Sequence, residues 1–190
     1  MGIFGLNLYV FCNKRKKMFY SWSTNFKSKN TVIAPNLLKG SIDEAVNPVS
    51  SLRYVNNFQD GKYHLNGHHQ DGTNSIEYEF DLKRFSKPSV VSIPFADINV
   101  RHHPLDSQKD FFKATGTLTL NGETSHTTDT FTAIDDDHRG DYPQLPHYEW
   151  LTIMGVNKTG GEKKGFAFNL TRNQSIDQNK YNENLIWFEG

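Results

Sequence analysis

Residues 134 to 155, from Ile134 to Gly155, bring acids, two histidines, an arginine and large aromatics into one short stretch that runs on into an apolar strand. Ionisable groups on a turn held by a rigid strand are a common way for a scaffold to present chemistry. Two kinds of chemistry are open to this set. Carboxylates and imidazoles can exchange protons with a bound molecule, and aspartate and histidine are also ligand types for a divalent metal. Neighbouring aspartates of an extended chain point to opposite faces, so Asp135, Asp136, Asp137, His138 and His147 are not expected to close on one ion. No metal and no other cofactor is assigned. A structural role competes with both: the acids can end a strand, with Arg139 paired to Asp136 across a tight turn that Gly140 permits, while Tyr148 and Trp150 only fill a core.

A second polar set comprises Asn169, Asn182, Glu183 and Asn184. It reads either as turn capping, a common use of asparagine, or as polar groups at a cavity mouth that orient the head of a ligand. His64, His68 and His69 match no metal-ligand spacing and read as the polar end of a hairpin.

The elements that must position these groups are strands. Ile76 to Phe80 alternates apolar and charged residues, Ser89 to Ile93 is a second run closed by Pro94, and Gly116 to Leu120 alternates again up to Asn121-Gly122, a two-residue hairpin signal. The returning strand is expected from Glu123 through Ala133, where repeated threonines suit a pleated surface better than a helix. Tyr148 to Met154 is apolar on both faces, which predicts a strand covered on both sides or lining a cavity. His147 and Glu149 fall on the face opposite Tyr148 and Trp150. Gly165 to Thr171 and Asn184 to Phe188 complete the set. Residues 13 to 75 are broken by proline, glycine and asparagine into short strands and loops, with one helical turn expected near Ile42 to Ala45. Short strands separated by turn signals indicate an all-β chain, an antiparallel barrel or sandwich, and 190 residues suit a single domain.

Composition narrows the function classes. Lys plus Arg number 21 and Asp plus Glu also 21, so the chain lacks the basic excess expected of a nucleic-acid binder. One cysteine, Cys12, excludes a disulfide framework and suits a reducing, cytoplasmic setting. The apolar run Gly2 to Cys12 is too short to span a bilayer, for which roughly 20 residues are needed. Followed by Lys14-Arg15-Lys16-Lys17, it supports peripheral membrane contact at most, and an opening strand with a charged turn is the plainer account.

Several spaced residues carry a resemblance. Asp136-x-x-Arg139-Gly140-x-Tyr142-Pro143, Tyr148-x-Trp150, Gly165-Phe166-x-Phe168-Asn169-Leu170-Thr171 and Tyr181-Asn182-Glu183-Asn184 with Trp187 and Gly190 resemble a bacterial family of unknown function. That family is similar to the AttH-like and carotenoid-hydratase-type proteins, a lipocalin-related group of two consecutive β-barrels. The likeness runs from about residue 76 to 190, with tyrosines at positions 142 and 148 where the family usually has tryptophan.

The resemblance implies an antiparallel lipocalin-like barrel, shortened from a longer double-barrel chain, with an exposed strand edge near Trp187 and Phe188 that favours self-association. It implies binding of a lipid-like or other hydrophobic small molecule. The alternative it implies is an acid-catalysed hydratase, isomerase or cyclase on a terpenoid-like compound, and a third possibility is an interaction module with a packed interior and no ligand. In the catalytic reading Asp136 or Asp137 is the acid, since a carboxyl shielded from water holds its proton to higher pH, with His147 and Glu149 in reserve. Tyr148 and Trp150 form an aromatic wall able to stabilise developing positive charge. Arg139, Tyr142, Asn169, Asn182 and Asn184 complete the expected ligand-binding set.

Overall fold

A computed structural model describes residues 3–12, 18–72, 74–95, 103–128, 131–143 and 147–189, with only the backbone of residues 3–12, 18–23 and 159. The chain is all-β, with antiparallel sheets and no α-helix among the described residues. Among the described residues no helix is long and apolar enough to cross a membrane. Lys14 to Lys17, the basic part of the expected membrane contact, lie outside the described residues.

The chain gathers into two compact units, Met1–Leu82 with Thr115–Thr127, and Lys83–Ala114 with Thr128–Gly190. The first contains a hairpin of β1 (Ile3–Cys12) and β2 (Met18–Lys27). It also contains β3 (Thr31–Val32), β4 (Ser41–Asn47), β5 (Ser50–Asn57) and β6 (Lys62–Asp71), followed by β7 (Asn74–Arg84), whose last two residues belong to the second unit. These strands lie side by side in chain order. The helical turn expected near Ile42 is strand instead: β4 is paired on both sides, with Thr31 opposite Ala45 and Ile42 opposite Val55, and two ladders of backbone hydrogen bonds outweigh local preference. Ile76 and Tyr78 anchor this unit's core against Leu52, Leu65, Phe80, Leu118 and Leu120. Strand alternation disperses the three histidines, His64 to Asp81 and His68 and His69 to Ser51 and Ser50.

The second unit holds β8 (Ser89–Ile93), the first half of β9 (Leu105–Leu120), β11 (Thr132–Arg139), β12 (Glu149–Asn157), β13 (Lys164–Arg172) and β14 (Leu185–Phe188). The latter part of β9 and the short β10 (Glu123–His126) belong to the first unit. The Asn121-Gly122 hairpin forms as expected, both residues taking positive φ of 50° and 83°. The return strand, however, is not continuous from Glu123 to Ala133. It breaks after His126 and resumes at Thr132 as β11, and the three aspartates therefore lie inside a strand rather than at its end.

Within the second unit, residues 106–109 of β9 are paired on both sides, with β8 and with β11. Phe111 and Phe112, one on each face of β9, are both fully buried. Phe111 packs with Ala167, Trp187, Phe85, Ile134 and Leu185, and Ile93, Phe95 and Leu105 pack with Val91 and Tyr148. The separate sheet β12-β13-β14 departs from expectation, because β12 is an edge strand. Trp150, Leu151, Ile153 and Met154 are all exposed, so this strand is not covered on both sides. Its apolar character continues across the outer face, where Leu151, Ile153, Leu170, Ile186 and Phe188 lie exposed.

Candidate functional site

The site grows from the pairing of β11 with β9. Antiparallel register sets Ile134 opposite Phe111, Asp136 opposite Lys109 and His138 opposite Ser107, all on one face. Towards Ile134 this face is apolar core, and towards His138 it becomes polar. The change matters because Lys109 and Ser107 are each only 1 % exposed, as is Glu183 from the loop before β14. A buried lysine is tolerable only if its charge is met.

It is met twice. Lys109 Nζ lies 2.5 Å from Asp136 Oδ1 and 3.3 Å from Glu183 Oε1. His138 Nε2 lies 2.9 Å from the same Asp136 oxygen and 3.0 Å from the same Glu183 oxygen, and Ser107 Oγ donates to Glu183 Oε1. On the far side of the imidazole, Nδ1 is hydrogen-bonded to the Tyr142 hydroxyl. Two carboxylates thus hold two cations in one compact network.

The titration behaviour follows from this geometry. For His138 burial opposes charge, but the hydrogen bonds to Asp136 and Glu183 outweigh it and raise the imidazole to about 9. For Asp136 and Glu183 burial again opposes charge, and the bonds from His138, with Lys109 on Asp136 and Ser107 on Glu183, hold both carboxyls below their ordinary range. Burial raises Tyr142 to about 12, helped by the negative charges of Glu183 and Asp136. Tyr148 is raised as well, by burial first and then by Glu183. Both tyrosines therefore remain neutral phenols near pH 7.

Above this floor opens a cavity of about 190 Å³, lined by Lys109, Asp136, His138, Tyr142, Tyr148, Trp150, Thr171 and Glu183. Its walls are aromatic. Tyr142 meets Tyr148 edge-on at 6.3 Å between ring centroids and stacks on Phe95 at 6.4 Å. The Trp150 ring has Lys109 Nζ 5.9 Å from its centroid, a cation–π distance. Trp150 is held although its residue is 60 % exposed, because its indole N–H donates to Asn169 Oδ1 at 2.5 Å. Gly140, at φ 135°, lets the chain turn out of β11 towards Tyr142, and a Cβ there would stand 2.2 Å from the Pro104 carbonyl oxygen.

The structure distributes the sequence candidates unevenly. Asp136, Tyr142, Tyr148 and Trp150 come together at the cavity. Asp137 and Arg139 do not: they share the opposite face of β11 and pair with each other at 2.9 Å, so Arg139 does not bridge to Asp136 as the turn reading expects. Glu149 and His147 stand on the exposed side of the β12 segment, with Glu149 3.8 Å from Arg172 and only the His147 backbone N–H engaged, to Gln174. Strand alternation that turns Tyr148 and Trp150 inward turns these two outward.

Asn169 is fully buried and acts as a bracket. It accepts from Trp150 and Thr152 and donates to the Glu183 carbonyl at 2.7 Å. Asn182 and Asn184 cap turns: Asn182 receives the Asn184 N–H and Asn184 receives the Thr171 N–H, which fixes the loop carrying Glu183. The groups missed by sequence reasoning are Lys109, Glu183 as a charged member, Thr171 and the role of His138. The one available signal for Lys109 is its place in the alternation Leu105, Ser107, Lys109, Phe111, whose other members are buried.

Asp136 Oδ1, His138 Nε2 and Glu183 Oε1 lie within 4.8 Å of one another, a spacing that could suit a metal. The donor set does not fit one as it stands. Lys109 already supplies positive charge to both carboxylates, so a metal would have to displace both that ammonium contact and the proton of His138.

Comparison with known proteins leaves the site to be read from its own geometry. No family model, curated protein or solved structure matches the chain.

Proposed function

We propose that the second unit binds a small, largely apolar molecule against Tyr142, Tyr148 and Trp150, with its polar end towards the Lys109–Asp136–His138–Glu183 floor. The observation that carries this reading is the cavity itself: aromatic walls over a polar floor are the usual composition of a small-molecule site. At about 190 Å³ it is smaller than the roughly 300–1,000 Å³ of sites for drug-sized ligands, which suits one small ring or the end of a longer chain. A lipocalin-like arrangement remains part of this proposal, although the up-and-down order of β3 to β7 that such barrels use belongs to the first unit and not to the unit that holds the cavity. Native mass spectrometry of the protein after gentle extraction is the direct test. A co-purifying apolar compound, absent after Trp150→Ala, is the expected outcome, and repeated preparations of clean apoprotein would count against the reading.

Acid-catalysed hydration or isomerisation of a terpenoid-like substrate is the second reading. The inward placement of Asp136 favours it, but the acid strength available does not. Asp136 is held ionised, and His138 at about 9, Tyr142 at about 12 and the likewise raised Tyr148 are weak donors for protonating carbon. Turnover of an isoprenoid alkene that is abolished in Asp136→Asn would reverse this ranking.

A further inference from the structure

Two polar atoms of the cavity-lining residues are buried and unmatched. Glu183 Oε1 accepts from Ser107 and meets both Lys109 and His138, whereas Oε2 has no hydrogen-bond partner. The Tyr148 hydroxyl is likewise buried without a hydrogen bond of regular geometry. Asn173 is its polar neighbour: that amide donates to the Tyr181 carbonyl and accepts the Ser175 N–H, and a bond from its second hydrogen to the phenol oxygen leaves the phenol hydrogen free to donate. A buried carboxylate oxygen left unpaired is costly, and natural structures seldom retain one without a ligand, an ion or a water to meet it.

The two atoms are chemically complementary. Glu183 Oε2 can only accept, and the Tyr148 phenol can donate. A hydroxyl group satisfies both at once, because it gives one hydrogen and takes another. A cation is disfavoured despite the aromatic walls, since Lys109 and His138 already neutralise Asp136 and Glu183. An anion is disfavoured for the converse reason, as every positive group of the floor is spoken for. Resting on the binding reading above, we propose that the ligand is a neutral, small apolar alcohol or phenol whose hydroxyl donates to Glu183 Oε2 and accepts from Tyr148.

The test uses three probes of nearly equal shape. Phenol donates and accepts, anisole only accepts and toluene does neither. Each is titrated into the full chain while the Trp150 indole N–H resonance is followed by NMR, assigned by its loss in Trp150→Phe. Phenol is expected to bind about ten-fold or more tightly than anisole, the effect of one hydrogen bond to a charged acceptor. In Glu183→Gln that preference is expected to shrink several-fold, and in Tyr148→Phe the preference of both phenol and anisole over toluene is expected to shrink, since both oxygens accept from the Tyr148 hydroxyl. Tyr148→Phe removes one atom, so it serves even if Glu183→Gln does not fold. Equal binding of all three probes at Trp150 overturns the hydroxyl assignment and leaves apolar binding standing. If none moves the Trp150 resonance at millimolar concentration, both the assignment and the binding reading fall. A preference of phenol and anisole over toluene that is unchanged in Tyr148→Phe overturns the proposed pairing.

Discussion

The two faces of β11 carry the same kind of residue and behave in opposite ways. On one face Asp136 and His138 meet Lys109 and Glu183, and the acids are held ionised. On the other face Asp135, Asp137 and Arg139 lie beside Asp110, a fully buried acid of β9. There Arg84 pairs with Asp110 at 3.3 Å and Arg139 with Asp137, and Asp135 is the acid left over. Burial, followed by the charges of Asp137, Asp110 and Asp136, raises Asp135 to about 7. The difference lies first in burial and then in charge balance. Burial is the larger cause for Asp135, and it raises even Asp110 although Arg84 pairs with it, whereas on the other face the bonds from His138 and Lys109 outweigh the burial of Asp136.

The sharpest way to break the comparison is to remove the cation that defines the balanced face. Lys109→Met leaves Asp136 and Glu183 with His138 alone, and breaking such a buried pair is expected to cost about 3–5 kcal/mol. Urea denaturation measures it. A loss below about 1 kcal/mol, the level of an exposed ion pair, would mean that the network contributes little to the fold.

Next in size is the pH response of the same face. His138 is raised in the folded state to about 9 from 6.5, so its contribution is fully present below pH 6.5 and is lost as pH climbs through 9. Stability should fall by up to about 3 kcal/mol across that window, since one pKa unit corresponds to about 1.4 kcal/mol. In His138→Gln the corresponding fall should vanish; its persistence would place the titration elsewhere.

The opposite face gives a slope of the same sign at lower pH, but a substitution there has the opposite effect on stability. Asp135 binds a proton in the folded state up to about pH 7, where the unfolded chain releases it near 4, so wild-type stability declines between those values. Asp135→Asn removes the decline. The variant should be more stable than wild type at pH 8, by on the order of 2 kcal/mol, and the two should converge below pH 4. Destabilisation at pH 8 would show that the carboxylate is needed where it stands.

The smallest effect concerns the loop that delivers Glu183. Asn184→Ala loses the bond to the Thr171 N–H, worth about 1 kcal/mol, while leaving the charges untouched. A loss of that size with the His138 pH profile unchanged would separate loop capping from the network itself. A shifted profile would show that Asn184 also sets the Glu183 position.

Much of the β pattern was legible along the chain. Alternation marked β7, β8, β13 and the Asn121-Gly122 hairpin, and local backbone chemistry suffices for these. It failed at Ile42 to Ala45, where pairing on two sides overrode a weak helical signal, and at β12, where an apolar strand lies at an edge. The candidate site was half legible. Asp136, Tyr142, Tyr148 and Trp150 stand out by type and spacing, but Lys109 and Glu183 look like ordinary surface charges. They are 27 and 47 positions from Asp136, and only the β9–β11 register and the folded loop before β14 bring them to it.

By itself the sequence determined which residues can share a face, because the two-residue period of a strand is a local property. It separated Asp136 from Asp137 and Tyr148 from His147 before any partner was known. What only the tertiary structure decided is which faces are buried and which charges meet there. Burial and Coulomb interactions depend on distance through space, and neighbours far apart in the chain set both the ionised state of Asp136 and the unmatched oxygen of Glu183.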